Sequence, residues 1–384
     1  MIEYNKPILD RNNNPIKLLE AGAHFCIRVI KKSKALIELG YEVHGLGNKL
    51  PFGANILSTF SVWQSESQFK NAIRNYIQLG ITGITWNNEP DHPAVWIKEV
   101  IRDMGMEDKV KLIVDLHDLD SIRRNIIPIG ERKMFNAADG LIYASMPIQK
   151  ITNELHEVTK PNLVLYSYCN RGVAIYNEED IPKRRRLVYE GGANPPNNKE
   201  LNIQFPYRNI HHIAKKVVEM GNELHMFIGN LDGYQTFQDI GVVAYPPTDY
   251  IKMMGELVKF KYGLIIFNNK DGKQNQVNHT LTNKESEYLH AGLPSLVCWC
   301  PETEKHVRKH GIGFVFSDIE EIGNCSQLET LYPEVMQNIK VKREELCMEN
   351  YIVLLENLYA EILGLEKKGI PEDIQRLHDF EFKG

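Results

Sequence analysis

The chain has 384 residues, a formal net charge of -5, and 43% hydrophobic and 25% charged residues, so it reads as a folded globular protein too long for one hydrophobic core and large enough for two domains. The acidic balance excludes a global electrostatic pull toward nucleic acid or an anionic membrane. Only local clusters, Lys31, Lys32 and Lys34 or Lys183 to Arg186, could bind phosphate, and a solvated face is the plainer reading of both.

No stretch approaches the ~18 apolar residues of a membrane span, and Lys6, Asp10 and Arg11 interrupt the N-terminus before an apolar signal segment can form. The expectation is a cytoplasmic protein whose 6 cysteines are reduced thiols. Cys298 and Cys300 share a face if 294–300 is a strand, but they lack further ligands at zinc spacing, and no metal site is expected.

Short apolar runs alternate with segments of helical period, which predicts parallel sheets covered by helices. A strand is expected over 15–22, then a helix over 25–40 whose Cys26, Val29, Ile30, Leu36 and Ile37 share one face and whose Gly40 caps the end. Further strands follow at 41–47, 81–86, 110–116, 139–144 and 162–168, with helices at 67–79, 93–104 and 147–158. The polar "NEEDIPKRRR" (177–186) reads as an interdomain connection. Beyond it come strands at 186–192, 223–230, 241–247, 262–269, 294–300 and 312–318, with helices at 207–221, 249–261 and 302–310, then a helical last sixty or so residues. The expected division is residues 1–180, residues 181–360, and a helical tail at 361–384 able to pack back on the first domain.

Ligands of open parallel sheets bind at the carboxyl ends of strands, where helix N-termini present free N–H groups. Three places qualify. In "YEGGANPP" (189–196), Gly191 and Gly192 let the backbone approach an anion, although a plain strand-exit turn would look the same. In "LTNKESEYLHAGLPSLV" (281–297), a helix starting near Asn283 would aim its positive end at the same crevice, with Lys284 adding a full charge and Glu287 accepting hydrogen bonds from sugar hydroxyls. The bland alternative is an exposed Lys284–Glu287 pair, worth a few tenths of a kcal/mol. In "VDLHDLD" (114–120), Asp115, His117, Asp118 and Asp120 gather where a strand ends, and His117 has the side chain suited to proton transfer near neutrality.

In this order the segments resemble a GT-B glycosyltransferase of the nucleotide-sugar-dependent, family 4-like group. The most specific stretch is "TNKESEYLHAGLPSLV", with its Asn-Lys, acidic-aromatic pair and Gly-Leu-Pro before a buried strand; "IKLLEAG…RVIKKSKALIELGYEVHGLG" is similar to the opening of the acceptor domain. The resemblance implies an α/β fold of two doubly wound Rossmann-like domains facing each other across a cleft. It implies that Glu287 holds ribose or sugar hydroxyls, that Asn283, Lys284 and Arg208 lie near the diphosphate beside Gly191 and Gly192, that Tyr245 lies near the nucleobase, and that His117 is an active-site histidine. His117 or a neighbouring Asp, here Asp118, would be the base of an inverting enzyme; in a retaining one His117 would touch the sugar ring. The implied activity moves a sugar from a nucleoside diphosphate sugar, a UDP-sugar being favoured, to an acceptor hydroxyl, with no metal and no other cofactor. A glycan or lipid-linked sugar is favoured over a modified DNA base as acceptor, and peripheral membrane contact is compatible. A nucleotide-sugar 2-epimerase and a non-enzymatic nucleotide-sugar sensor are the alternatives. The chain departs from the family pattern at His279, where many retaining members carry Glu, and in "EAGAHF", which keeps one glycine of the usual loop. Stereochemistry and sugar identity therefore stay open.

Overall fold

The computed structural model describes residues 4–175, 187–229, 233–324 and 326–383. The expected connection at 177–186, with Lys183 to Arg186, lies outside the described residues. The chain forms two units, one made of Met1–Asn170 with Met348–Gly384 and the other of Arg171–Cys347.

Unit 1 contains β1 (Lys17–Gly22), β2 (Glu42–Gly47), β3 (Phe60–Val62), β4 (Ile81–Asn87), β5 (Lys111–Leu116), β6 (Gly140–Tyr143) and β7 (Asn162–Val164) in a 7-stranded sheet of order β3-β2-β1-β4-β5-β6-β7. Unit 2 contains β8 (Leu187–Gly191), β9 (Leu224–Ile228), β10 (Val243–Tyr245), β11 (Tyr262–Ile266), β12 (Ser295–Cys298) and β13 (Gly313–Val315) in a 6-stranded sheet of order β10-β9-β8-β11-β12-β13. Every pairing within the two sheets is parallel. Strands such as β6, β9, β11 and β12 are buried at every position, as a sheet covered on both faces requires. In each sheet the order reverses beside the first strand, between β1 and β4 and between β8 and β11, and such switch points open crevices at the strands' carboxyl ends.

The expected helix at 25–40 is Ile27–Glu38: Cys26 is still extended, and Gly40 turns the chain at φ 94°. Residues 348–360, expected in the second domain, belong to unit 1. The helix Met348–Leu363 lays Tyr359 on Gly83 of β4, where an added Cβ would come within 2.6 Å of the ring, and the Tyr359 hydroxyl bonds Thr85. From the same helix Glu356 accepts from Tyr41 Oη at 2.6 Å and from Lys368 Nζ at 2.6 Å. The tail helix Glu372–Lys383 also lies in unit 1, with Phe382 stacked on Tyr166 at 5.6 Å. The pair Cys298 and Cys300 does not share a strand, because β12 ends at Cys298 and Trp299 takes a left-handed φ of 60°. Both thiols are buried. Among the described residues no helix is long and apolar enough to cross a membrane.

The basic cluster of the first helix is not a solvated face. Lys31 and Lys32 are buried, and only Lys34 reaches solvent, beside Glu38. Lys32 Nζ donates to Asp115 Oδ2 at 2.5 Å and to Asn87 Oδ1 at 3.0 Å and lies 3.5 Å from Glu20. Arg28 Nε and Nη2 donate to Asp115 at 3.1–3.2 Å. Burial works against a charge on Asp115, but Arg28, Lys32 and His117 outweigh it and hold its carboxyl well below the usual range. Burial pushes Glu20 the other way, upward, with Lys32 opposing. Five buried side chains, Arg28 and Lys32 with Glu20, Asn87 and Asp115, thus tie the helix Ile27–Glu38 to the carboxyl ends of β1, β4 and β5.

In unit 2 the helix Asn283–His290 is fixed by Tyr288. Its ring lies on Gly263 of β11, a Cβ there would overlap the ring, and its oxygen accepts from the Glu190 N–H at 3.1 Å while lying 3.3 Å from the carbonyls of Val188 and Leu264.

Lys32→Met leaves buried Glu20 without a cation and Asp115 with Arg28 alone, so it should lower unfolding free energy by roughly 3–5 kcal/mol in urea titrations. Gly263→Ala should cost about 1–3 kcal/mol through overpacking against Tyr288; an unchanged midpoint would refute that contact.

Candidate functional site

β8 ends in Tyr189, Glu190 and Gly191, and Gly191 adopts a φ of 118° that a residue with a Cβ rarely takes. The Tyr189 hydroxyl donates to Gly192 O at 2.9 Å and holds the turn. A Cβ on Gly191 would stand 2.9 Å from Lys284 Nζ, and one on Gly192 would stand 3.1 Å from both Cδ and Nη1 of Arg208. Two cations therefore lie directly over the glycine pair. The sequence reading placed Gly191, Gly192, Arg208 and Lys284 near one another, and the fold brings them together at the switch point of unit 2.

Lys284 is 8% exposed. Its ammonium makes no hydrogen bond or ion pair among the described residues and lies instead over the rings of Tyr189 and Phe267, at 5.0 and 4.8 Å. Arg208, in the turn Pro206–Arg208, likewise makes no side-chain hydrogen bond or ion pair among the described residues; its guanidinium lies 4.8 Å over Phe205 and 5.5 Å over Tyr207. Burial lowers the proton affinity of Lys284, but Tyr189, Glu190 and Glu287 outweigh burial and the opposing Arg208, and its pKa is raised. A charged ammonium set over aromatic faces, with no hydrogen-bond partner among the described residues, has the chemistry to receive an anion.

Glu287 is buried one turn beyond Lys284, so the exposed-pair reading of these two residues does not hold. No side chain caps the helix they sit on, and Asn283 is exposed in its first turn. Tyr245 stands apart at the end of edge strand β10. Its hydroxyl is 2.8 Å from His225 Nδ1, and its ring stacks on Phe227 at 4.5 Å. His279 ends the helix Asn275–His279, and burial lowers its pKa, so the ring is neutral near pH 7. Residues that sequence reasoning missed are Tyr189, Glu190, Phe267 and Tyr288. "YEGG" drew attention for its glycines alone, and the aromatic supports read as ordinary strand and helix residues.

In unit 1, His117 follows β5. Its N–H donates to Asn88 Oδ1 at 2.8 Å, and Asn88 Nδ2 donates to Asp118 O at 2.9 Å, so one side chain fixes the backbone of both candidates. The ring spans two partners, with Nδ1 3.7 Å from Cys26 Sγ and Nε2 3.4 Å from Asp115 Oδ1. Burial alone would keep the imidazole neutral. Asp115, then Cys26, overcome it and raise the pKa to about 9, so His117 is a cation at neutral pH. Asp118 is half-buried beside it, while Asp120 is paired with Arg123 at 2.6 Å. Cys26, Arg28 and Asn88 are the unit 1 residues missed from sequence; all three sit in segments read as helix face or loop.

No family model and no curated protein sequence matches the chain, but solved structures do. It is similar to sucrose-phosphate synthase from Thermosynechococcus elongatus, with a TM-score of 0.66 at 11% identity over 91% of this chain and 99% of that one. It is similar to the lipopolysaccharide outer core galactosyltransferase WaaB, with a TM-score of 0.57 at 11% identity over 90% and 99%. A third is an alpha-glucosyltransferase in complex with UDP and a 13-mer DNA containing an HMU base, with a TM-score of 0.51 at 12% identity over 95% and 99%. Identities this low carry the architecture: the chain has the GT-B fold, two Rossmann-like units each built on a parallel sheet.

Proposed function

We propose that the chain is a glycosyltransferase whose unit 2 binds a nucleoside diphosphate sugar and whose unit 1 offers the acceptor side. The observation that carries this reading is the Lys284 ammonium over Gly191, without a hydrogen bond or ion pair among the described residues, with Arg208 over Gly192. Two cations and a side-chain-free backbone suit a diphosphate, and the leaving diphosphate is where negative charge grows as the glycosyl bond breaks. Stabilisation there strengthens in the transition state and so accelerates the step. UDP is the favoured nucleotide, supported by the bound UDP of the glucosyltransferase with the same fold.

In this reading Glu287 accepts hydrogen bonds from sugar or ribose hydroxyls, and Asn283 lies at the open helix end beside the phosphates. The bond from the anomeric carbon to the diphosphate oxygen breaks, the acceptor oxygen bonds that carbon, and the acceptor proton passes to a base. His117, already protonated and with its ring nitrogens turned to Cys26 and Asp115, is ill suited to take that proton, which leaves Asp118 as the candidate base. The cations over the glycine turn supply charge neutralisation from the protein itself, consistent with metal-independent transfer.

For the acceptor, a lipid-linked sugar at a membrane surface is favoured. The loop before the helix Ile129–Ala137 exposes Ile126 and Ile127, and that helix begins with an exposed Ile129, at 60%, 38% and 74%. Arg124, Arg132 and Lys133 around them are exposed as well. Apolar side chains rimmed by cations match the headgroup boundary of an anionic bilayer.

Lys284→Ala should retain the wild-type unfolding midpoint and lose about 10²–10³-fold in turnover, the scale for one transition-state donor, with UDP affinity falling in titration calorimetry; Glu287→Ala should lose turnover as well. The assay incubates the protein with a panel of nucleotide sugars and follows nucleoside diphosphate release. Slow hydrolysis supports a transferase, a 2-epimeric sugar product an epimerase, binding without chemistry a sensor, and wild-type turnover in both variants removes the assignment. Ile126→Asp with Ile129→Asp should abolish cosedimentation with phosphatidylglycerol vesicles; salt-sensitive binding to duplex DNA with no vesicle binding would move the acceptor to DNA.

A further inference from the structure

Cys26 differs from the other cysteines among the described residues. Cys169, Cys298, Cys300 and Cys347 are buried, and Cys26 is half-buried at the N-terminus of the helix Ile27–Glu38. Its sulfur is 3.7 Å from His117 Nδ1, and Asp115, fixed by Arg28 and Lys32, stands 3.4 Å behind the opposite ring nitrogen. A thiol, an imidazole and a carboxylate in line are the arrangement by which a side chain is made nucleophilic. A second observation is independent of that line. Arg28 is 3% exposed, its Nη1 has no hydrogen-bond partner among the described residues, and its charge acts on the Cys26 sulfur. Paired to Asp115 through Nε and Nη2, the guanidinium keeps this one buried N–H unused two positions along the chain from the thiol, which favours an anion at that place.

We propose that Cys26 and His117 form a thiolate–imidazolium pair, and that Cys26 is a modification site for soft electrophiles and peroxides. The electrostatics agree. Burial would raise the thiol, but His117, the Val29 N–H and Arg28 outweigh it and bring it down to about 7. Burial pushes Cys298 up to about 12 and Cys300 well above its ordinary value, so those thiols stay protonated and inert. With an alkyl halide the thiolate sulfur forms the S–C bond as the carbon–halogen bond breaks and halide leaves. With hydrogen peroxide the sulfur attacks one oxygen, the O–O bond breaks and hydroxide leaves; cysteine is oxidised by two electrons to the sulfenic acid and the peroxide is reduced. Either product changes the partner of His117, so a redox signal would reach the candidate acceptor side without touching the donor cradle. The assignment does not depend on glycosyl transfer.

The test is alkylation of the native full chain by limiting iodoacetamide from pH 5 to 9, read by peptide-mapping mass spectrometry so that Cys26 is separated from the other cysteines. Cys26 should label first, with a rate midpoint of about 7. His117→Gln should move the midpoint toward ~8.5 and slow labelling at pH 7 roughly fifteenfold, the ratio of the thiolate fractions. Dimedone should tag the same peptide after peroxide, and Cys26→Ser should carry neither label. Absence of Cys26 labelling in protein with a native unfolding transition, or a wild-type midpoint near ~8.5, would overturn the proposal; both readings stand without the His117 variant should it fail to fold.

Discussion

An ammonium group held against two aromatic rings, with its hydrogens unused among the described residues, is the constraint around which unit 2 is arranged. Such a charge loses hydration on burial, and two ring faces return only about 2 kcal/mol or somewhat more. The Gly263–Tyr288 contact keeps the position from relaxing, because the tyrosine locks the helix bearing Lys284 onto β8 and β11. The left-handed Gly191 completes the arrangement by leaving the space in front of the cation free of side chain.

Unit 1 treats the same topological position in another way. Charges at the carboxyl ends of β1, β4 and β5 are numerous and buried, yet Arg28, Lys32, Glu20 and Asp115 largely neutralise one another. What remains after that compensation is the positive imidazole of His117, whose charge is a consequence of Asp115 behind it. One sheet keeps two cations over aromatic rings beside a glycine turn at its crevice. The other keeps a compensated network with one titratable ring at its edge.

The alternation of apolar runs and helical periods made the parallel sheets legible, since strands such as β9 and β11 are buried at every residue and cannot be mistaken for amphipathic segments. The edge strand β3 was not legible, because the three residues Phe60–Val62 are too few to display a period. Lys31 and Lys32 misled for a physical reason: a lysine reads as solvent-facing unless its partners are known, and Lys31 bonds the distant Ser167 carbonyl while the Lys32 partners Glu20, Asn87 and Asp115 come from three separate strands. Gly191, Gly192 and Lys284 could be nominated from strand-exit and helix-start chemistry, and Arg208 only through the family resemblance. Their aromatic supports could not, since Tyr189 and Phe267 acquire meaning only when Lys284 lies above them.

The polypeptide leaves unit 1 after Asn170 and re-enters it at Met348, where the Met348 N–H bonds the Cys169 carbonyl at 2.9 Å. Unit 2 is continuous, and unit 1 is not. During translation the ribosome therefore delivers every strand of the first sheet long before the helix Met348–Leu363 that covers Gly83 and satisfies Tyr41. The nascent first sheet therefore lacks the helix that covers Gly83 until the whole of the inserted unit has been synthesised.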